Sequence, residues 1–174
     1  MCSNERLQAF EEKLIQELSE QDWAHIFAWR LLPNHYHILA SVNLTLFEPW
    51  LRRIHNGTST RWNREDRTPG RKVWYHFIDR IIRTDRHYWA TINYIHANPV
   101  KHDYVSKATE WPYSSLHGYL RSFGKDKVSR IYKQYPVKDY GKGWDWDQCF
   151  HENPVKNAAC AATTNGSFIN IPDK

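Results

Sequence analysis

Two short apolar segments separated by a single turn constrain the fold most strongly. Residues 24–31 (AHIFAWRL) and residues 35–42 (HYHILASV) are rich in aliphatic and aromatic side chains, as is typical of strands. Pro33 and Asn34 interrupt the chain between them, and both are turn-forming residues. The pattern predicts a β-hairpin at the centre of a sheet that the rest of the chain completes.

Helical periodicity flanks this hairpin on both sides. Residues 5–20 carry apolar side chains at the spacing of an amphipathic helix,. Further helices are predicted over 46–62, 85–98 and 114–121. A third strand lies within 73–82, Thr84 is the predicted cap of the next helix, and Pro99 is expected to end that helix. This order predicts an α+β fold in which helices cover an antiparallel sheet.

Length and composition exclude several classes of protein. A chain of 174 residues suits one domain,. We assign this domain to residues 1–124 and expect residues 125–174 to form a partly irregular or disordered tail. No apolar run approaches the roughly 18 residues of a membrane span, and the polar N-terminus does not resemble a secretory signal. The three scattered cysteines indicate neither a disulfide framework nor a zinc site, so we expect a cytoplasmic protein.

Positive charge is concentrated in the middle of the chain. The net charge is +5, and residues 44–107 hold twelve Lys and Arg against six Asp and Glu. Cations interleaved with tryptophans are typical of a surface that binds nucleic acid, although a solvated basic loop is the simpler interpretation. The candidate phosphate contacts are Arg52, Arg53, Arg61, Arg64, Arg71, Lys72, Arg80, Arg83 and Lys101. Trp62 and Trp74 are candidates for stacking on bases, but a strand position favours the core for Trp74.

His35 and His37 are separated by one residue in the second predicted strand. Alternate residues of a strand point to the same side, so both imidazoles share one face while Tyr36 points to the other layer. Two neutral imidazoles on one face can hold a divalent metal. Two polar residues at the end of a strand are the competing interpretation.

Tyr94 and Asn98 are separated by one turn of the helix predicted to end at Pro99. They therefore share a helix face. A phenol is a weak nucleophile unless a metal polarises the group that it attacks, and an asparagine oxygen can serve as a metal ligand. A buried tyrosine followed by a helix-ending asparagine is the structural alternative.

Taken together, these motifs resemble a known family. LPNHYHIL, WYHFIDRIIR, YIHANPVKHDYV and WPYSS occur in this order between about residues 23 and 120. The pattern is similar to that of the REP-associated tyrosine transposases, a branch of the single-tyrosine HUH transposases. The resemblance implies a ferredoxin-like or RRM-like HUH transposase fold.

The resemblance also implies roles for individual residues. His35 and His37 match the metal ligands, Asn98 matches a third ligand, and Tyr94 matches the nucleophile. The implied cofactor is Mg²⁺ or Mn²⁺. The implied partner is single-stranded DNA near a repetitive extragenic palindromic hairpin, cleaved through a 5′-phosphotyrosine intermediate during transposition.

The resemblance leaves three functional hypotheses for a bacterial, nucleoid-associated protein that is a monomer or a homodimer. The first is the nicking enzyme and strand transferase. The second is a hairpin-DNA-binding protein with impaired catalysis. The third, a metal-dependent hydrolase with a water nucleophile, is disfavoured because no carboxylate adjoins the two histidines in the sequence.

The chain departs from the family at its N-terminal end. Relatives begin with an aromatic-rich strand, whereas this sequence starts close to the first helix. Either an upstream start encodes that strand, or the sheet has lost it. In the second case we expect unpaired backbone groups on the neighbouring strands and an exposed sheet edge.

Overall fold

The structure is a computed structural model that describes residues 3–141 and 164–170, without the side chains of residue 76 and of 164–170. The helices are α1 (Asn4–Glu11), α2 (Glu17–Ser19), α3 (Leu44–Glu65), α4 (Asp85–Lys101) and α5 (Leu116–Gln134), with a π-helical segment (Glu12–Gln16) between α1 and α2 and a 3-10 turn at Ala108–Glu110. The strands are β1 (Ala24–Leu31), β2 (His35–Val42), β3 (Trp74–Ile81) and β4 (Thr164–Asn170).

The predicted hairpin is confirmed. Strands β1 and β2 pair antiparallel, and the turn is closed by a hydrogen bond of 2.8 Å from the Leu32 N–H to the His35 carbonyl oxygen. Leu31 lies opposite Tyr36 and Arg30 lies opposite His37. Because residues directly opposite in an antiparallel pair share a face, this register assigns Arg30 and His37 to one side of the sheet and Tyr36 to the other.

Helices cover both faces of the sheet. Phe10 of α1 and Trp62 of α3 pack with Tyr36 in a large aromatic and aliphatic core on one face. On the opposite face, Ile92 and Ile95 of α4 pack in a smaller core with side chains of β1 and β2. The two-sided burial of β2 explains why both sets of alternating positions in its sequence include apolar residues,.

The sheet has the order β1-β2-β4-β3, and the predicted α+β class is confirmed. Strand β4 runs parallel to both of its neighbours, with Ile38 of β2 opposite residue 168 and Arg80 of β3 opposite residue 169. No strand precedes α1 within the described part of the chain. Strand β4 lies between β2 and β3, so the backbone groups of β2 that face away from β1 are paired by β4.

Helix α4 is longer than predicted and continues through Pro99 to Lys101. Helix α5 is broken at Gly124, where the domain boundary was predicted: its φ of 77° and ψ of 159° are not helical, and glycine adopts such a conformation at little cost. The helix predicted over 114–121 is therefore the part of α5 before this kink, and a second helical part follows it to Gln134. Residues 142–163 and 171–174 of the predicted tail lie outside the described residues. No helix in the described part of the chain is long and apolar enough to cross a membrane.

His55 is a partly buried histidine on the α3 side of the sheet. Its Nε2 lies 2.8 Å from the Tyr36 hydroxyl, and its ring stacks on Trp74 at 4.2 Å between centroids. Burial lowers the pKa of His55 from 6.5 to about 4 and raises the pKa of Tyr36. The neutral imidazole and the neutral phenol therefore share one hydrogen bond between Nε2 of His55 and the Tyr36 hydroxyl.

The first prediction concerns strand β4. Truncation after residue 163 removes its pairing with β2 and β3, and each lost backbone hydrogen bond contributes about 0.5–1.5 kcal/mol to stability. We expect the free energy of unfolding, measured by urea denaturation, to fall by about 3 kcal/mol or more. Truncation after Asn170 keeps β4 and is the matched control. Equal stability of the two truncated proteins would contradict the pairing.

The second prediction concerns His55 and pH. Between pH 6.5 and about 4 the unfolded chain takes up a proton that folded His55 excludes, so stability falls as the pH is lowered,. The slope from this histidine is at most about 1.4 kcal/mol per pH unit. Thermal melts of His55→Gln across this window should show a shallower dependence than the parent. His25→Gln, at an exposed histidine, should retain the parental slope; an unchanged slope in His55→Gln would exclude His55 as the source.

Candidate active site

The two histidines of β2 lie together on the face that α4 covers. Their ring centroids are 5.1 Å apart, with the ring planes nearly perpendicular at 85°. Both side chains are buried, His37 at 1% exposure. The alternation of the strand produces this pair directly, since Tyr36 between them contacts Phe10 in the other layer,.

Asn34 orients the imidazole of His35. Its Oδ1 lies 2.8 Å from Nδ1 of that ring. An amide oxygen can only accept, so Nδ1 carries the proton and Nε2 carries the lone pair. A hydrogen bond of this kind is the usual device that fixes a metal-binding histidine in its ligand tautomer.

Helix α4 presents a second set of residues to the two histidines. The helix begins where the Thr84 hydroxyl accepts a hydrogen bond of 3.1 Å from the His87 N–H. The Tyr94 ring packs edge-on against His37 at 5.3 Å, and the His102 ring packs against His35 at 5.1 Å.

Asn98 lies midway between Tyr94 and His102 along the same helix face and is fully buried,. Because the residues one turn before and one turn after it contact the two histidines, we infer that Asn98 faces the pair. The structure therefore brings Tyr94, His35 and His37 together across the interface of β2 and α4, and Asn98 follows Tyr94 one turn later on the same helix. His102 belongs to the same group, and its spacing of eight residues from Tyr94 is the signal that marks it in the sequence.

The donor set suits a divalent cation that also accepts oxygen. Two imidazole nitrogens and one amide oxygen are neutral ligands, and the remaining coordination positions would be left to water or a phosphate oxygen. In the described part of the chain, no cluster of three or more His, Cys, Asp or Glu residues exists as an alternative metal site. A cation bound by His35 and His37 would need a further ligand of another kind, and Asn98 is the candidate on the facing helix.

Tyr94 is covered by the segment 137–141 that follows α5. Its side chain is 1% exposed, and its ring meets that of Tyr140 at 5.9 Å. Gly141 has a φ of 78° and lies so close that a Cβ there would clash with the Tyr94 ring. The Thr91 hydroxyl forms a hydrogen bond with the Tyr140 hydroxyl. This bond attaches segment 137–141, which covers Tyr94, to helix α4. Segment 137–141 therefore contributes to the burial of the Tyr94 ring.

A cavity of about 800 Å³ opens beside this cover, between α4 and α5. Asn98 and Lys101 contribute to one wall, and Lys125 and Lys138 contribute to the other. The Lys101 ammonium lies 5.4 Å from the centroid of the Tyr94 ring. The cavity therefore combines apolar walls with cationic groups next to the tyrosine.

The predicted phosphate contacts divide between the two faces of the sheet. Lys101 lies next to the ring of Tyr94. Arg80 and Arg83 lie near His87 of α4: burial is the main cause of the lowered pKa of His87, and the charges of these two arginines lower it further. The other six lie on α3 or in the loop after it, in the layer opposite α4: Arg52, Arg53, Arg61, Arg64, Arg71 and Lys72.

Acidic partners also reduce the charge of the α3 layer. Arg53 pairs with Glu17 at 3.1 Å, Arg61 with Glu65 at 2.7 Å, and Arg71 with Asp66 at 2.6 Å. Trp62 is buried and Trp74 stacks on Phe10 at 5.0 Å, so both belong to the core. The structure does not bring these groups to the histidines.

His96 is a buried structural histidine rather than part of this group. Its Nε2 lies 2.9 Å from the Ser115 hydroxyl. Burial, followed by the charge of Arg30, lowers the pKa of His96 to about 3. Its neutral ring links α4 to the start of α5, consistent with the helix geometry, which turns it away from Tyr94.

Comparison with known proteins gives two partial matches. The chain is 30% identical over 98 residues to the REP-associated tyrosine transposase of Escherichia coli strain K12, a match that covers 53% of this chain and 54% of that protein. It is 45% identical over 47 residues to a Haemophilus influenzae protein described as the same kind of transposase, covering 27% of this chain and 24% of that protein.

The chain thus spans about half the length of the first relative and about a quarter of the second. No protein-family model and no solved structure matches it. The resemblance seen in the motifs is therefore supported over part of the chain, by its similarity to two proteins described as REP-associated tyrosine transposases.

Proposed function

We propose that this chain is a metal-dependent single-stranded DNA endonuclease and strand transferase that acts at hairpin-associated, REP-like sites during transposition. The observation that carries the proposal is the packing of the Tyr94 ring against His37, with His35 adjoining His37 on the same strand. The side chains proposed as nucleophile and as two metal ligands come from different elements and lie next to one another, and the names of the two relatives support the same class of reaction.

The residues that would hold the cation are His35, His37 and Asn98. Imidazole ligands make Mn²⁺ as suitable as Mg²⁺. When bound, such a cation supplies Lewis-acid stabilisation of the negative charge that grows on the scissile phosphate in the transition state. Asn34 contributes by holding His35 with Nε2 ready as the ligand atom,.

Tyr94 is the proposed nucleophile. Its phenolic oxygen attacks the phosphorus, the bond from phosphorus to the 3′ oxygen breaks, and the DNA leaves a 5′ phosphate on the tyrosine and a free 3′-OH. The phenolic proton passes to His102 or to water, and the departing 3′ oxygen takes up a proton. Attack by another 3′-OH reverses the step and joins strands without ATP, since the ester energy is kept in the covalent link.

A second candidate function is hairpin-DNA binding without cleavage. The burial of Tyr94 favours it, because a tyrosine at 1% exposure cannot contact a phosphate without a rearrangement of the groups packed around it. The two candidates differ in one product, the covalent adduct.

The third prediction tests for that adduct. Incubation of the protein with a single-stranded hairpin oligonucleotide and Mn²⁺ should give a covalent protein–DNA band on a denaturing gel, and Tyr94→Phe should abolish it because the nucleophilic oxygen is removed. Tyr88→Phe removes a hydroxyl from the same helix six residues earlier and should keep the adduct. Binding without any adduct would favour the second candidate, and an adduct in Tyr94→Phe would overturn the tyrosine assignment.

His35→Ala completes this experiment. It should abolish the adduct while retaining most of the DNA affinity, since phosphate contacts by cations supply that affinity. Equal loss of binding and cleavage, with loss of thermal stability, would indicate that the histidine is structural.

The fourth prediction separates the two cationic layers. Lys101→Gln should weaken binding of single-stranded DNA in anisotropy titrations and reduce the slope of log affinity against log salt by about 0.7, the value for one phosphate contact on a single strand. Arg52→Gln, at an exposed α3 position in the opposite layer, should leave both quantities close to the parent. The reverse result would assign the single strand to the α3 layer.

A further inference from the structure

Helix α4 contains a proline where a regular helix needs a donor. Pro99 lies inside the helix, which continues to Lys101. In an uninterrupted helix the N–H of residue 99 would bond the carbonyl oxygen of residue 95. Proline has no N–H, so the Ile95 carbonyl loses its main-chain partner in the turn that connects Tyr94 with Asn98.

A buried arginine from the sheet provides a donor in place of the missing N–H. Nη1 of Arg30 donates a hydrogen bond of 2.7 Å to the Ile95 carbonyl oxygen, and Arg30 is 0% exposed. A buried guanidinium is costly unless its donors meet acceptors. The Ile95 carbonyl, which has no N–H donor at Pro99, is such an acceptor for the Arg30 guanidinium.

The same arginine is linked to the candidate metal ligands. Arg30 lies directly opposite His37 in the β1–β2 pair, and both side chains project towards α4. Its acceptor, Ile95, follows Tyr94 in the chain. A single side chain therefore connects the cross-strand neighbour of His37 to the residue adjoining Tyr94.

A second connection from β1 reaches α4 at the next residue. The Ser115 hydroxyl accepts from the Trp29 N–H at 2.9 Å and lies 2.9 Å from Nε2 of His96. Trp29 and Arg30 are consecutive on β1, as Ile95 and His96 are on α4. The two polar connections, one direct and one through Ser115, fix the rotation and height of α4 on the sheet at this turn.

We propose that Arg30 is a positioning residue that replaces the amide missing at Pro99 and thereby sets Tyr94 against His37 for the transfer reaction. The inference rests on the proposed function for its catalytic consequence. Its structural content, a dependence between Arg30 and Pro99, stands without any reaction. Arg30 touches neither substrate nor cation in this scheme.

The fifth prediction is a double-mutant cycle with Arg30→Met and Pro99→Ala. Arg30→Met should slow adduct formation at saturating hairpin oligonucleotide and Mn²⁺ by roughly tenfold or more, since small displacements of reacting groups have effects of this size, with DNA affinity unchanged. In the Pro99→Ala background residue 99 regains an N–H that can bond the Ile95 carbonyl. Adding Arg30→Met to this background should therefore slow adduct formation by less than about threefold. Pro49→Ala, in a different helix in the other layer, should give no such rescue.

Two further readouts keep the outcome decisive. Fluorotyrosine at position 94 should show a ¹⁹F shift that Arg30→Met moves and Pro99→Ala restores, whether or not the protein cleaves DNA. If Arg30→Met does not fold, Arg30→Gln retains one donor and replaces it in the cycle. Equal effects of the arginine substitution in both backgrounds, on ¹⁹F shift and thermal stability, would overturn the inference. If the protein forms no adduct but Pro99→Ala still reduces the effect of Arg30→Met on the ¹⁹F shift and on thermal stability, only the proposed function would be overturned.

Discussion

The two-residue period of strand β2 is the constraint on which the rest of the structure depends. His35 and His37 point to α4, while Tyr36 between them packs against Phe10 and bonds His55. One segment therefore serves a polar site and an apolar core at the same time. A slip of one residue against β1 would exchange these faces. The core contacts of Tyr36 thus help to hold the two histidines on the face that α4 covers.

Polar contacts to the backbone attach α4 to the sheet with a defined position. Apolar packing of Ile92 and Ile95 is non-directional and would tolerate sliding,. Hydrogen bonds are directional, and leaving a buried polar group without a partner costs about 1–3 kcal/mol. The bond from Arg30 to Ile95 and the contact of His96 with Ser115 therefore select one placement of the helix. A site whose residues come from both a strand and a helix depends on a fixed position of the helix on the sheet.

The fold divides a charge pattern that looks uniform in the sequence. The basic residues of the central third belong to two layers, and ion pairs with Glu17, Glu65 and Asp66 occupy several in the α3 layer. Only Lys101, Arg80 and Arg83, of the nine predicted contacts, belong to the α4 side. Net charge is informative about the class of partner, but the approach of that partner depends on which cations share a face.

The sequence by itself determined the elements whose signals are local. Two short segments rich in apolar and aromatic residues, together with the Pro33-Asn34 turn, predicted both strands of the hairpin to the residue. Helical spacing predicted that Tyr94 and Asn98 share a face. Only the tertiary structure decided that Tyr94 meets His37, that β4 enters the sheet beside β2, and that α4 continues through Pro99. These outcomes depend on partners distant in the chain: a carbonyl that accepts from Arg30, and backbone groups paired by a strand more than 120 residues later. Local pattern carries no information about such partners, because their free energy arises only when the elements are packed together.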